Sequence, residues 1–125
     1  MMIQHVSIGV RDLDVSKRFY DAVLGALGHR LLRERERWVG YGSDRVELSL
    51  RRTDSPVPGD PRSGLHFCFT APTRASVDAF HAAARANGGA SNGAPGVRAD
   101  YSPTYYAAFV VDPDGYRLEA YCGGT

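Results

Sequence analysis

The sequence has few features of a secreted, redox-active or nucleic-acid-binding protein. Only two of its 125 residues are cysteines, Cys68 and Cys122, and they lack the CxxC spacing of redox and zinc motifs. Both lie in strand-like apolar runs, so we expect small buried side chains in a reducing compartment. The formal net charge is +1, with acidic and basic residues mixed along the chain, which argues against nucleic-acid or membrane-surface partners.

Long apolar runs are also missing. The opening MMIQHVSIGV has no basic segment followed by an apolar one, and no run approaches the roughly 20 residues needed to span a bilayer. We therefore expect a cytoplasmic protein. A length of 125 residues predicts one domain with a substantial core.

The chain contains an internal repeat. A shift of 61 residues places His66 on His5 and aligns HFCFTA with HVSIGV. Each copy then follows the order strand, amphipathic helix, glycine stop and further strands. We predict an α+β fold of two βαβββ modules, residues 1–52 and 64–125, joined by a Pro- and Gly-rich linker at 53–63. Because one helix cannot cover both faces of a sheet, the two modules should pair.

Local signals predict where the helices begin and end. Asp12 or Asp14 caps the first helix, which Gly28 ends, and Thr73 caps the second. Residues 90–103, rich in Gly, Pro and Asn, are predicted to form a loop. The residues expected on the buried face of the first helix are Val15, Phe19, Val23 and Leu24.

Alternation along four strands places one His or Glu on the face opposite the apolar one. These residues are His5, Glu47, His66 and Glu119, and Val46 is assigned to the apolar face with Leu48 and Leu50. A half-solvated sheet would explain any one of the four alone. Together, at equivalent strands of both modules, they are typical of a site for a divalent metal such as Zn, Ni, Fe, Mn or Co.

Two segments, HVSIGVRDLDVSKRFYDAVLGALG and FVVDPDGYRLEAY, resemble the vicinal oxygen chelate superfamily, also called the glyoxalase/bleomycin-resistance/dioxygenase group. The resemblance covers essentially the whole chain. It implies a curved sheet around a metal cleft, with ligands at His5, Glu47, His66 and Glu119. Ring-cleaving dioxygenases and fosfomycin thiol transferases of the family use only the positions of His5, His66 and Glu119, so Glu47 favours the four-ligand glyoxalase I pattern.

The resemblance also implies a chemistry. In those relatives the metal binds two neighbouring substrate oxygens and stabilises an enediolate or enolate, while a glutamate takes the adjacent proton. Glu119 would be that base and Glu47 its counterpart. Gly9 and Arg51 stand where bacterial glyoxalase I has residues that contact glutathione, so the sequence does not predict glutathione recognition.

The first hypothesis is therefore a metal-dependent lyase or isomerase of glyoxalase type, acting on a small chelating molecule. Two alternatives remain open: a metal-free, bleomycin-type drug-binding protein and an extradiol-type Fe(II) dioxygenase. The resemblance further implies a homodimer in which each cleft often combines both chains.

Several other residues are candidates for substrate contacts. Tyr101, Tyr105 and Tyr106 could line an apolar, ring-accepting pocket, as could Trp38, although strand packing is the more ordinary interpretation. Arg51 is a further candidate. The segment RLLRERERW favours a solvated strand with cross-strand charge pairs over an anion site.

Overall fold

The computed structural model describes residues 1–124 and contains two βαβββ units. The first unit consists of β1 (Val6–Val10), α1 (Leu13–Ala26), β2 (Arg30–Arg35), β3 (Trp38–Gly42) and β4 (Val46–Arg52). The second consists of β5 (His66–Thr70), α2 (Arg74–Ala86), β6 (Ala90–Val97), β7 (Tyr106–Val111) and β8 (Arg117–Cys122), preceded by a 3₁₀ turn at Pro61–Ser63.

Each unit builds one four-stranded sheet, ordered β1-β4-β3-β2 and β5-β8-β7-β6. In both sheets the first strand pairs in parallel with the last, and the remaining pairs are antiparallel. The predicted α+β fold of paired βαβββ modules is confirmed. Within residues 1–124, neither α1 nor α2 is long and apolar enough to cross a membrane.

The helix ends follow the predicted local signals. Of the two candidate caps for α1 it is Asp12 that acts, since its Oδ1 accepts a hydrogen bond from the Val15 amide at 3.1 Å. Gly28 follows the helix with φ +91°, a conformation that favours glycine. Thr73 and Ser76 form a capping box at α2 through bonds of 3.0 and 3.1 Å.

Two predictions fail. Val15 is 45% exposed and borders a cavity together with Pro56 and Val57 of the connection between the units. The predicted loop at 90–103 contains β6, an edge strand that pairs with β7 through two register shifts. An edge position tolerates a proline and irregular glycines, so a loop-like composition was compatible with a strand.

The two units share one core through their helices. α1 packs against α2, and a Cβ atom at Gly89 would lie 2.5 Å from Cε1 of Phe19. The hydroxyl of Tyr20 donates to Oδ2 of Asp112 at 2.6 Å, and the hydroxyl of Tyr116 donates to the carbonyl of Gly9 at 2.7 Å. These contacts join residues far apart in sequence and fix the two sheets relative to each other.

Asp112 should make the stability of the protein fall with rising pH. Its burial outweighs the hydrogen bonds it accepts and raises its pKa from 3.8 to about 6. The folded state therefore binds more protons than the unfolded state between these values, so the free energy of unfolding declines as pH rises through that window. Asp112→Asn is expected to remove this decline. Between about pH 4 and pH 7, the free energy of unfolding of the variant should therefore rise relative to that of the native protein by up to about 3 kcal/mol.

Urea denaturation at a series of pH values would measure this effect. Asp100→Asn changes an exposed carboxylate and should keep the native pH profile. Parallel profiles for Asp112→Asn and the native protein would show that folding does not raise the pKa of Asp112.

Candidate functional site

Two of the four predicted ligands meet between β5 and β8. His66 begins β5, Glu119 lies within β8, and His66 Nε2 is 3.0 Å from Glu119 Oε1. The Glu119 side chain is 4% exposed, whereas that of His66 is 47% exposed. The pair thus combines a buried carboxylate with an imidazole that opens to solvent.

Tyr105 holds the other oxygen of this carboxylate. Its hydroxyl donates to Glu119 Oε2 at 2.5 Å, and its ring stacks 4.3 Å from that of Tyr121. Burial and then the bond to Glu119 raise the pKa of Tyr105, so the hydroxyl remains a donor at neutral pH. With one partner on each oxygen, Glu119 has a fixed orientation.

Cys68 lies on the same face as this pair. It is directly opposite Glu119 in the β5–β8 ladder and is exposed, so the prediction that it is a buried apolar side chain is wrong. Cys122 is buried, as predicted. Desolvation and then the Glu119 carboxylate raise the pKa of the Cys68 thiol to about 12, which leaves it protonated and a poor nucleophile.

Arg117 is a residue of this face that sequence reasoning did not single out. It stands opposite His66 in the ladder, and with His66 and Phe109 it lines a cavity of about 200 Å³. Its Nε is buried and has no hydrogen-bond partner among residues 1–124. Its position two residues before Glu119, on the same face of β8, was the available signal.

His5 directly precedes β1, Glu47 lies in β4, and both are exposed. The β1–β4 ladder begins with Val6 paired to Leu48, and His5 and Glu47 directly precede these two residues. In the second sheet the residue level with His66 is Arg117, and Glu119 lies two residues further on.

By this register, Ser49 is the counterpart of Glu119, and Glu47 is the counterpart of Arg117. Ser49 is 4% exposed and lies opposite Ser7 on β1. Glu47 therefore lies in the predicted strand but two residues before the counterpart of Glu119, and its role as a metal ligand stays a prediction.

A β-bulge in β4 directly precedes this regularly paired segment. Gly42 on β3 pairs with Val46, and Glu47 is skipped before the regular pairing resumes at Leu48. Val46 consequently turns to the face of Gly40, where a Cβ atom would lie 2.8 Å from its Cγ2. Strict alternation had assigned Val46 to the apolar face, which is wrong because the bulge adds one residue.

The remaining candidates are distributed over both sheets. Trp38 is half-buried and lines a cavity on the first sheet, with Arg51 opposite it in the β3–β4 ladder. Tyr101 is 65% exposed and packs edge-on against Tyr105. Tyr106 lies away from the site: its hydroxyl donates to Asp78 on α2 at 2.6 Å, because it follows Tyr105 by one residue and points to the opposite face.

The residues of one chain fit a metal only in part. The imidazole of His66 and the carboxylate of Glu119 suit a divalent cation. His5, Glu47 and His66 line one cavity of about 510 Å³ between the edge strands β1 and β5. Within residues 1–124, however, no group of three or more His, Cys, Asp or Glu is placed to hold a metal.

The sequence model of the Glyoxalase/Bleomycin resistance protein/Dioxygenase superfamily matches residues 2–120. The chain belongs to this superfamily. A glyoxalase/bleomycin resistance protein from Albidiferax ferrireducens T118 has a similar crystal structure, with 35% sequence identity, a TM-score of 0.85, and 97% of this chain and 98% of that chain covered. The resemblance inferred from the sequence motifs is thus confirmed.

More distant structures share the fold of this superfamily member. A glyoxalase-related enzyme from Fulvimarina pelagi is 18% identical, with a TM-score of 0.73 and coverage of 97% of this chain and 87% of that chain. The fosfomycin resistance protein FosX from Listeria monocytogenes is 15% identical, with a TM-score of 0.70 and coverage of 97% and 92%. No curated protein gives a significant match. Since one fold serves several activities, the activity has to be argued from the site.

Proposed function

We propose that this superfamily member is a metal-dependent enzyme that acts on a small substrate through two neighbouring oxygens, with His66 and Glu119 as ligands. The observation that carries the proposal is the 3.0 Å contact between the exposed imidazole and the buried carboxylate. Burying a carboxylate is costly unless its oxygens are bound. The bond from Tyr105 and the contact with His66 offset this cost, and 47% of the His66 side chain is exposed to solvent.

The third ligand in this proposal is His5 of a second copy of the chain. His5 is exposed, and in its own chain it shares a cavity with His66 without joining the His66–Glu119 pair. Family resemblance supports a homodimer with composite clefts. A two-fold dimer would form two equivalent sites, each with one His5 from one chain and the His66–Glu119 pair from the other.

The chemistry proposed for this site is proton transfer next to a stabilised oxyanion, as in lyases and isomerases of glyoxalase type. A bound divalent metal would supply a Lewis acid for the developing negative charge. Glu119 is the carboxylate proposed to take the proton from substrate carbon, as the family resemblance implies, and Tyr105 and His66 set its orientation. Arg117, level with His66, adds a fixed positive charge on the same face.

A second candidate is a three-ligand activity such as an extradiol-type Fe(II) dioxygenase. The observation that favours it is Ser49 at the counterpart position of Glu119, which leaves two histidines and one carboxylate. Two histidines and one carboxylate with open positions are typical of non-haem Fe(II) oxygenases. Oxygen consumption with catechol under Fe(II) would distinguish this activity from proton transfer.

Mixing two inactive variants tests the shared site. Homodimers of His5→Ala and of His66→Ala are each expected to lose bound metal, because every site lacks one imidazole. Co-refolding equal amounts gives half heterodimers, each with one intact and one doubly altered site, so about a quarter of all sites should regain metal. Elemental analysis after gel filtration measures the recovery.

Subunit exchange is checked in parallel with two differently tagged native chains. Full metal content in the His5→Ala homodimer would show that His5 is not a metal ligand. No recovery in a mixture that does form heterodimers would place all ligands in one chain.

A further inference from the structure

A second cavity, of about 710 Å³, lies on the face of the first sheet away from α1. Its size is within the roughly 300–1,000 Å³ range of small-molecule sites. Its lining includes Arg33, Arg35 and Arg45 together with Trp38 and His5. The cavity therefore combines several cations with one large aromatic ring.

Arg33 and Arg35 are not neutralised by the protein. They lie opposite Gly40 and Trp38 on β3, so the cross-strand charge pairs expected from the sequence do not form. No carboxylate within the described residues forms a salt bridge with either one. Arg35 donates one hydrogen bond, to the carbonyl of Glu34. Both side chains are exposed and retain free donors.

The acidic residues that border this cavity offset its positive charge only in part. The carboxylate of Glu34 lies 3.0 Å from Nζ of Lys17 on α1 and is thus already paired. Asp44 is an exposed residue of the β3–β4 turn. Arg45 is held by the N-terminal segment, through the carbonyl of Gln4 and the sulfur of Met1. Arg33 and Arg35 thus remain as the cations able to bind a small anion.

Beside these arginines the cavity has a flat, partly apolar floor. Trp38 is half-buried there, and Gly40 lies next to it on β3. A Cβ atom at Gly40 would lie 2.8 Å from Cγ2 of Val46 and 3.2 Å from the ring of Trp38. The bulge turns Val46 to this face, and Gly40 has no side chain to project from it. The surface beside Trp38 is therefore flat. Such a surface suits a planar ring.

We propose that this cavity binds a planar organic anion, namely an aromatic carboxylate. The guanidinium groups of Arg33 and Arg35 bind the carboxylate, since a guanidinium matches its geometry with two parallel hydrogen bonds. The ring of the ligand packs on Trp38. His5 lines the same cavity, so we assign this ligand as the substrate class of the proposed metal site. That assignment rests on the proposed function, whereas binding of the anion does not depend on it.

Trp38 allows a direct test, because it is the only tryptophan of the chain and its fluorescence reports on this cavity. Benzoate titrated into the full-length protein in EDTA is expected to change the emission in a saturable way. Benzamide, which has the same shape without the charge, should bind at least about tenfold more weakly, since hydrogen bonds to a charged group contribute more than neutral ones.

A double charge variant in the cavity and a single surface variant complete the experiment. The double variant Arg33→Gln/Arg35→Gln should weaken benzoate binding by at least about tenfold. Arg85→Gln, which removes one charge from the exposed surface of α2, should leave it unchanged. Far-UV circular dichroism checks that both variants are folded, as expected for exposed positions.

The inference is overturned if benzoate gives no saturable change, if benzamide binds equally well, or if Arg85→Gln weakens binding as much as the double variant. Failure of the proposed function has a different signature. If the protein never retains metal but still binds benzoate more tightly than benzamide in EDTA, the proposed metal site is contradicted and the anion-binding site is supported.

Discussion

Replacing Glu119 with glutamine is expected to lower the affinity for a divalent metal by at least about 100-fold and to abolish the proposed metal-dependent activity. Glutamine keeps the size of the side chain, and its carbonyl can still accept the hydrogen bond from Tyr105. It removes the negative charge, and the atom facing His66 becomes an amide nitrogen that cannot bind a cation. Titration against a chromophoric chelator measures the affinity.

Glu47→Gln is the matched control. The chemical change is the same, but Glu47 is exposed and stands level with His5, at the counterpart position of Arg117. We expect metal affinity within about twofold of the native protein, the size of a surface-charge effect. An equal loss of metal affinity in Glu119→Gln and Glu47→Gln would show that Glu47 is also a ligand, although its register differs from that of Glu119.

Substituting Gly42 by alanine is expected to destabilise the protein by about 3 kcal/mol or more, because the new Cβ would collide with backbone. Its ideal position is 1.8 Å from the carbonyl oxygen of Arg45 and 2.9 Å from the carbonyl carbon. Relief of this clash requires β3 and β4 to separate at the bulge. Urea denaturation measures the loss.

Gly25→Ala provides the comparison for this variant. Gly25 is an exposed residue of α1, and a Cβ atom added there would have no neighbouring atom within 4 Å, so alanine should stabilise the helix by about 0.5–1 kcal/mol. Equal unfolding midpoints for Gly42→Ala and the native protein would show that the bulge relaxes without cost.

Gly42→Ala also has a functional consequence. If the bulge is lost, regular alternation would return Val46 to the apolar face and shift the side chains that precede Leu48. The cavity of Trp38 depends on Val46 for its floor, so benzoate binding should weaken together with stability.

The local features of the fold were predictable because their causes lie within a few residues. Asp12 and Thr73 cap helices through amides three residues away, and Gly28 supplies the conformation that ends α1. Alternation placed His66 and Glu119 on one face of their strands. The position of β6 was missed because an edge strand accepts a composition that otherwise indicates a loop.

The sequence by itself determined the two βαβββ modules, the caps and stops of the helices, and which face of β5 and β8 carries the polar side chains. Only the tertiary structure decided which of those side chains meet. Strand register depends on hydrogen-bond ladders between residues up to about 50 positions apart, and the β1–β4 ladder makes Ser49 the counterpart of Glu119. The contact of His66, Tyr105 and Glu119 likewise arises because β8 lies between β5 and β7, an order that strand pairing sets and local patterns do not encode.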